Sequence, residues 1–187
     1  MHEDLKQAIE VLRNGGIILY PTDTIWGIGC DATNVDAVKR IYELKKRADS
    51  NSMLVLLDNT AKLASYVNDI PEVAYDMAEL TTKPLTIIYD DAKNLAVNLI
   101  AEDGSVGIRI TEEQFSKELC ARFKKPIVST SANVSGEPSP QHFGQISDVI
   151  KEGVDYVVKF RQEETQNPAP SSIVKIGKDC QIKVIRE

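Results

Sequence analysis

Hydroxyl, amide and cationic side chains gather in four segments of this sequence. Residues Tyr20 to Ala32 read YPTDTIWGIGCDA, and the threonines with Asp23 could hold a small polar molecule. Lys45-Lys46-Arg47-Ala48-Asp49-Ser50-Asn51-Ser52 offers lysine point charges and an arginine fork, a combination suited to phosphate oxygens. Ser129 to Pro140 reads STSANVSGEPSP, where small side chains let backbone N–H groups approach a phosphate or an adenine. Ser171-Ser172 and Arg186 make the fourth group. Each also has an ordinary structural explanation: a Ser/Thr turn that satisfies its own backbone, a solvated basic helix end, a serine-rich turn.

Chemistry that needs a protein nucleophile or a resident metal finds little support. There is no GxxxxGK[ST] phosphate loop, and Gly27 with Gly29 is a lone GxG, better read as structural. There is no HExxH. His2 and His142 sit among polar residues with no partner for a Ser-His-Asp or Cys-His arrangement. Cys30, Cys120 and Cys180 lie too far apart for a disulfide framework or a zinc site. What remains is chemistry by positioning and charge neutralisation.

The elements that must position these segments follow from periodicity. Leu5, Ala8, Ile9 and Leu12 recur at helical spacing up to Asn14-Gly15-Gly16. Ile17 to Tyr20, stopped by Pro21, reads as a buried strand, so the first polar segment lies where α/β sheets carry ligand loops. Asn34 caps a helix whose stripe is Ala37, Val38, Ile41, Tyr42 and Leu44, and that helix delivers Lys45 to Arg47. Met53 to Leu57, Pro84 to Tyr89 and Val106 to Ile110 read as strands, and Thr60 and Pro71 open short helices. Thr111-Glu112-Glu113 opens a helix with Phe115, Leu119 and Phe123 on one face, before a strand from Pro126 to Thr130. A helix carrying Phe143, Ile146, Val149 and Ile150 and a strand from Tyr156 to Phe160 follow. Arg161 to Pro170 reads as a mobile polar loop, and Ser172 to Ile176 with Gln181 to Ile185 reads as a hairpin about Gly177-Lys178-Asp179. The alternation predicts an α/β layered domain with some antiparallel pairing.

The chain has 187 residues, with 22 basic and 28 acidic side chains giving a charge of −6. At this length we expect a single domain, 1–187, with a core that needs no disulfide or metal staple. The acidic balance argues against a surface that grips duplex nucleic acid or anionic membrane as a whole. The N-terminus MHEDLKQAIE lacks the apolar run of a secretory signal, and no apolar stretch approaches a membrane span, so we expect a cytoplasmic protein without membrane contact.

Taken in order, the polar segments resemble the YrdC-type threonylcarbamoyl-AMP synthases. The match is carried by PTDT-x-x-G-x-G-x-D-A from Pro21 to Ala32, Lys45-x-Arg47 followed by Asn51, and Val106-Gly107-Ile108-Arg109-Ile110. It continues through Thr130-Ser131-Ala132-Asn133-x-Ser135-Gly136-x-Pro138-Ser139-Pro140, Ser171-Ser172-Ile173-Val174 and Val184-Ile185-Arg186. The resemblance implies an α/β fold: a single-domain twisted mixed parallel/antiparallel sheet with flanking helices around a concave basic cavity. It implies a nucleotidyltransferase that joins L-threonine, bicarbonate or CO2, and ATP, with Mg2+, into threonylcarbamoyl-AMP and pyrophosphate. Downstream proteins then transfer the threonylcarbamoyl group to an adenosine of tRNA. By position, Thr24, Arg109, Ser129 and Ser171 would contact threonine. Arg47, Asn51, Ser131, Asn133, Ser139 and Arg186 would contact ATP, and Lys45 and Arg47 would be the catalytic cations near the phosphates.

The sequence departs from the family pattern at several places. Lys46, Ala48 and Ser52 stand where the family has a glycine and two prolines, and Leu56 where it commonly has histidine. Trp26 replaces a more usual tyrosine, and Thr81-Thr82-Lys83-Pro84 replaces Trp-Pro-Gly-Pro. These departures keep open a related protein that binds nucleotide, or weakly RNA, without threonine-dependent activity.

Overall fold

The computed structural model describes residues 1–46, 53–166 and 168–187. Among them the chain order is α1 (His2–Arg13), β1 (Ile18–Tyr20), β2 (Gly27–Gly29), α2 (Val35–Leu44), β3 (Leu54–Leu57), a 3-10 segment (Thr60–Ser65) and α3 (Glu72–Leu80). Then come β4 (Leu85–Tyr89), β5 (Val106–Ile110), α4 (Gln114–Phe123), β6 (Ile127–Ser131), a 3-10 turn (Phe143–Gln145), α5 (Asp148–Gly153), β7 (Tyr156–Val157), β8 (Ser172–Ile176) and β9 (Ile182–Arg186).

Local chemistry accounts for most of these boundaries. α1 buries Leu5, Ala8 and Leu12, with acids in its first turn and Arg13 in its last, as the helix dipole favours. Asn34 caps α2 through its side-chain oxygen, which accepts from the Ala37 N–H at 3.0 Å. Glu113 caps α4 with both carboxylate oxygens, accepting from the Phe115 and Ser116 N–H groups. Lys124, at φ 63°, takes the left-handed turn that ends α4.

The strands form one nine-stranded sheet in the order β7-β1-β2-β6-β3-β5-β4-β8-β9. The β1–β7, β3–β5 and β4–β8 pairs are parallel and the others antiparallel. Helices flank this mixed sheet: α1 packs on α4, β1 and β7, α4 also covers β3, and α3 lies against β4. The core is aliphatic, with Leu5, Ile18, Leu19, Ile41, Val55, Leu57, Ile108 and Leu119 almost fully buried.

The structure departs from periodicity in three places. β2 is a strand where a loop was expected: two of its three residues are glycine, which carry no strand signal, yet it joins β1 to β6. The expected helix over Phe143 to Ile150 divides into a 3-10 turn and α5, and Val149 is exposed. The strand expected to run to Phe160 ends at Val157.

One carboxylate ties the sheet's first edge together. Asp155 Oδ2 accepts from the Ile17 N–H and from Arg40 Nη1, both at 2.8 Å, while Oδ1 accepts from Arg40 Nη2 at 3.0 Å. The bonds from Arg40 hold this carboxyl below its ordinary range, against burial, with the Ile17 N–H helping. A depressed carboxyl stabilises the fold above its ordinary pKa and loses that contribution as pH falls through the lower folded value. Asp155→Ala should cost about 1 kcal/mol at neutral pH by urea unfolding. The gap from wild type should close on acidification below about pH 4.

Candidate functional site

One face of the sheet carries a cavity of about 620 Å³, within the range of small-molecule sites. The cross-strand pairs Gly27–Ser131, Leu54–Ser129, Thr86–Arg109 and Ile88–Gly107 all line it, so its floor crosses β2, β6, β3, β5 and β4 without a break. Ile173 of β8 and Ile185 and Arg186 of β9 extend it. Two glycines make the approach possible. A Cβ on Gly27 would lie 2.9 Å from Ser129 Oγ, and one on Gly29 would lie 2.6 Å from both Tyr20 Cε1 and the Val128 carbonyl oxygen. The GxG pair therefore serves close packing.

Arg109 is the charged group of the floor. It is 3% exposed, and its Nη2 lies 3.1 Å from Asp23 Oδ1 as an ion pair. Neither Arg109 Nε nor Asp23 Oδ1 has a hydrogen-bond partner among the described residues. Burial pulls the guanidinium down from its ordinary pKa and Asp23 opposes the shift, leaving it a cation. Burial likewise raises the Asp23 carboxyl, with Arg109 restraining the shift. Arg109 thus retains donor capacity next to the cavity, in a desolvated setting where a second carboxylate would be strongly attracted.

The segment before β2 folds by its own hydroxyls. Thr22 Oγ1 accepts from the Thr24 N–H at 3.1 Å and donates to the Ile25 carbonyl at 2.7 Å, which turns Thr24 into the cavity wall. Asp31 is engaged by Thr33 and Lys125 and shapes the entry to α2. Trp26 lines the cavity and packs on Phe143 at 4.9 Å between ring centroids.

On the far side, Ser171 is 2% exposed and its Oγ lies 3.1 Å from Thr86 Oγ1. Arg186 donates from Nε and Nη2 to the Ser171 carbonyl at 2.9 and 2.7 Å. Pro168 and Pro170 complete this wall. Arg161 anchors the start of the same segment, donating to the Thr22 carbonyl at 3.2 Å and pairing with Glu113 at 3.1 Å and Glu164 at 2.8 Å.

Of the residues singled out in the sequence, Thr24, Arg109, Ser129, Ser131, Ser139, Ser171 and Arg186 line the cavity. Arg47 and Asn51 lie outside the described residues. Asn133 is not among the lining residues: its Nδ2 donates to the Val134 and Glu137 carbonyls at 3.1 and 2.8 Å, closing the loop. Lys45 is 1% exposed and is not among the described lining residues; its ammonium donates to the carbonyls of Ser131, which lines the cavity, and of Asn133. Leu56 is wholly buried in register with Arg109 and Ile127, so the position beside the guanidinium is aliphatic. Thr86, Ser105 and Gln141 also line the cavity and carry no motif. The signal that could have found Thr86 is its place as the polar residue of an otherwise apolar strand, LTIIY.

Comparison with known proteins places this geometry among relatives. The Sua5/YciO/YrdC family model, described as "Telomere recombination", matches residues 10–187. A threonylcarbamoyl-AMP synthase of Pseudoalteromonas translucida is 34% identical over 154 residues, covering 81% of this chain and 82% of that protein. P. abyssi Sua5 complexed with L-threonine superposes with a TM-score of 0.88 at 24% identity over 97% of this chain. The chain spans 53% of that protein's length. E. coli YciO superposes with a TM-score of 0.85 at 23% identity, covering 100% of this chain and 90% of that one. The expected mixed sheet with flanking helices is the fold of these structures.

The buried pair sets a stability expectation. Arg109→Met should cost about 3 kcal/mol in urea unfolding, because it leaves the Asp23 carboxylate buried without its cation. Adding Asp23→Asn to Arg109→Met should recover part of that loss.

Proposed function

Because the chain belongs to the Sua5/YciO/YrdC family, we propose that it makes threonylcarbamoyl-AMP and pyrophosphate from L-threonine, bicarbonate or CO2, and ATP. The observation that carries this reading is Arg109, a buried cation on a hydroxyl-rich floor with unused donor capacity. A threonine carboxylate pairs with that guanidinium, and the hydroxyls of Thr24, Ser129 and Ser171 surround the amino-acid side chain. Ser131, Ser139 and Arg186 line the stretch available to the nucleotide, with Arg47 and Asn51 assigned there by motif. In this reading residues 1–187 act as one unit, since the cavity draws on strands from β2 to β9.

The chemistry needs no protein nucleophile. The threonine amine, once deprotonated, adds to the carbon of CO2 to form a carbamate. A carbamate oxygen then attacks the α-phosphorus of ATP, and the bond to the bridging oxygen breaks to release pyrophosphate. Attack brings two anions together, so the site's work is orientation and charge neutralisation in a desolvated space. The described lining offers hydroxyls, carbonyls and two arginines but no carboxylate. Such a donor set fits Mg2+ that arrives on the ATP phosphates, where it would neutralise the leaving pyrophosphate. The product would pass to proteins that modify tRNA. No helix among the described residues is long and apolar enough to cross a membrane, which accords with work in the cytoplasm.

Pyrophosphate release from ATP should require both L-threonine and bicarbonate; release indifferent to threonine would sink the assignment. Arg109→Lys should raise the KM for threonine and lower kcat/KM by roughly 100-fold, since a point charge cannot replace a planar fork. Arg47→Ala and Ser131→Ala should each raise the KM for ATP, and full activity in both would remove those residues from the nucleotide site.

A further inference from the structure

Arg161 belongs to none of the motif segments, yet its backbone is held where an arginine is strained. Its φ of 69° lies in the left-handed region that glycine adopts freely and most other residues avoid. Such a residue persists where its surroundings over-determine it. Here the side chain does so. Nη1 donates to the Thr22 carbonyl at 3.2 Å and lies 3.1 Å from Glu113 Oε1. Nε donates to Glu164 Oε2 at 2.8 Å, and Nη2 stands 2.8 Å from the same oxygen. Glu113 is itself fixed, because its carboxylate caps α4 through the Phe115 and Ser116 N–H groups.

These contacts close a ring. Arg109 lies on β5, and Glu113 follows that strand by three residues. Asp23 reaches Arg109 directly, and the carbonyl before it, that of Thr22, reaches Glu113 by way of Arg161. The peptide between Thr22 and Asp23 is therefore tied twice to one stretch, 109–113. We propose that Arg161 is a positioning residue for the amino-acid carboxylate: by holding the Thr22–Asp23 peptide it keeps Asp23 on Arg109, and so aims the guanidinium at the cavity. Asp23 is the one ionic partner of Arg109 among the described residues, and Arg109 Nε has no hydrogen-bond partner there, so a shift of Asp23 turns the fork. Charge acts in the same direction. Burial raises the Asp23 carboxyl, Arg109 is the largest restraint on that rise, and Arg161 adds to it. Ser131, Ser139 and Arg186, on the stretch assigned to the nucleotide, take part in none of these bonds.

The inference rests on Arg109 binding the threonine carboxylate, and the experiment separates the two. Pyrophosphate release is measured against L-threonine and against ATP for wild type, Arg161→Gly, Arg109→Lys and the double variant. Glycine suits a φ of 69°, so Arg161→Gly removes the side chain and relieves the backbone. It should raise the KM for threonine by roughly 10-fold and leave the KM for ATP within about twofold, which also reports an intact fold. In the Arg109→Lys background there is no fork to aim, so losing Arg161 as well should change kcat/KM for threonine by less than about twofold. Fully additive losses would show that Arg161 acts by another route and would overturn the proposal, as would an equal rise in both KM values, the mark of a merely structural role. Should Arg161→Gly fail to fold, Arg161→Lys replaces it: a point charge cannot span a carbonyl and two carboxylates, so the KM for threonine should still rise. A wild-type KM for threonine in either folded variant would overturn the positioning role alone. Wild-type protein that releases no threonine-dependent pyrophosphate would overturn the proposed function together with it.

Discussion

A guanidinium that is 3% exposed has to be answered from within the fold, and the arrangement of the cavity follows from how that is done. Asp23 is the answering charge, and it sits on the loop between β1 and β2. That loop must therefore lie over β5, although β2 and β5 are separated in the sheet by β6 and β3. The hydroxyls of Thr22 fold the loop into the required turn. Gly27 lets β2 approach Ser129 closely enough to bring the turn over the floor. Arg161 then fastens the turn to the N-terminus of α4 through Glu113. Apolar residues of similar volume in place of such a buried pair often leave a fold as stable, so the pair is better read as a constraint on the position of the loop than as a source of stability.

Much of this was legible in the sequence. The cap Asn34, the helix start at Thr111-Glu112-Glu113, the stripes of α1, α2 and α4, and the apolar runs of β3 to β5 are signals that local physics enforces. Seven of the motif residues assigned to a site do line one cavity, because each lies within a strand of the same sheet or in a segment joined to one. β2 was not legible: glycine has no side chain to announce a strand, and its role appears only when the partners it must approach are known. The burial of Lys45 was not legible either: a basic run at a helix end gives no sign of the loop, 86 residues later, whose carbonyls at Ser131 and Asn133 accept from its ammonium. Thr86 escaped because a threonine in a strand is ordinary until its register opposite Arg109 is seen.

The charge of −6 acquires a location. Acidic side chains at the surface engage the lysines there: Asp103 and Asp90 hold Lys175, and Asp91 holds Lys178. The described lining of the cavity contains Arg109 and Arg186 and no carboxylate. An acidic protein can therefore still line a cavity with arginines and no carboxylate, its net charge being no guide to the character of that one surface.

Strand order along the sheet bears little relation to strand order along the chain. β2 pairs with β6, β4 with β8, and Arg186 of β9 reaches back to Ser171. During synthesis the first cavity residues emerge early, at Thr24, yet the wall opposite them does not exist until residue 186 has joined the sheet. Such long-range closure is slow, and partly assembled sheets expose unpaired edges while they wait. The cavity therefore forms only when segments from Thr24 to Arg186, far apart along the chain, have come together in one sheet.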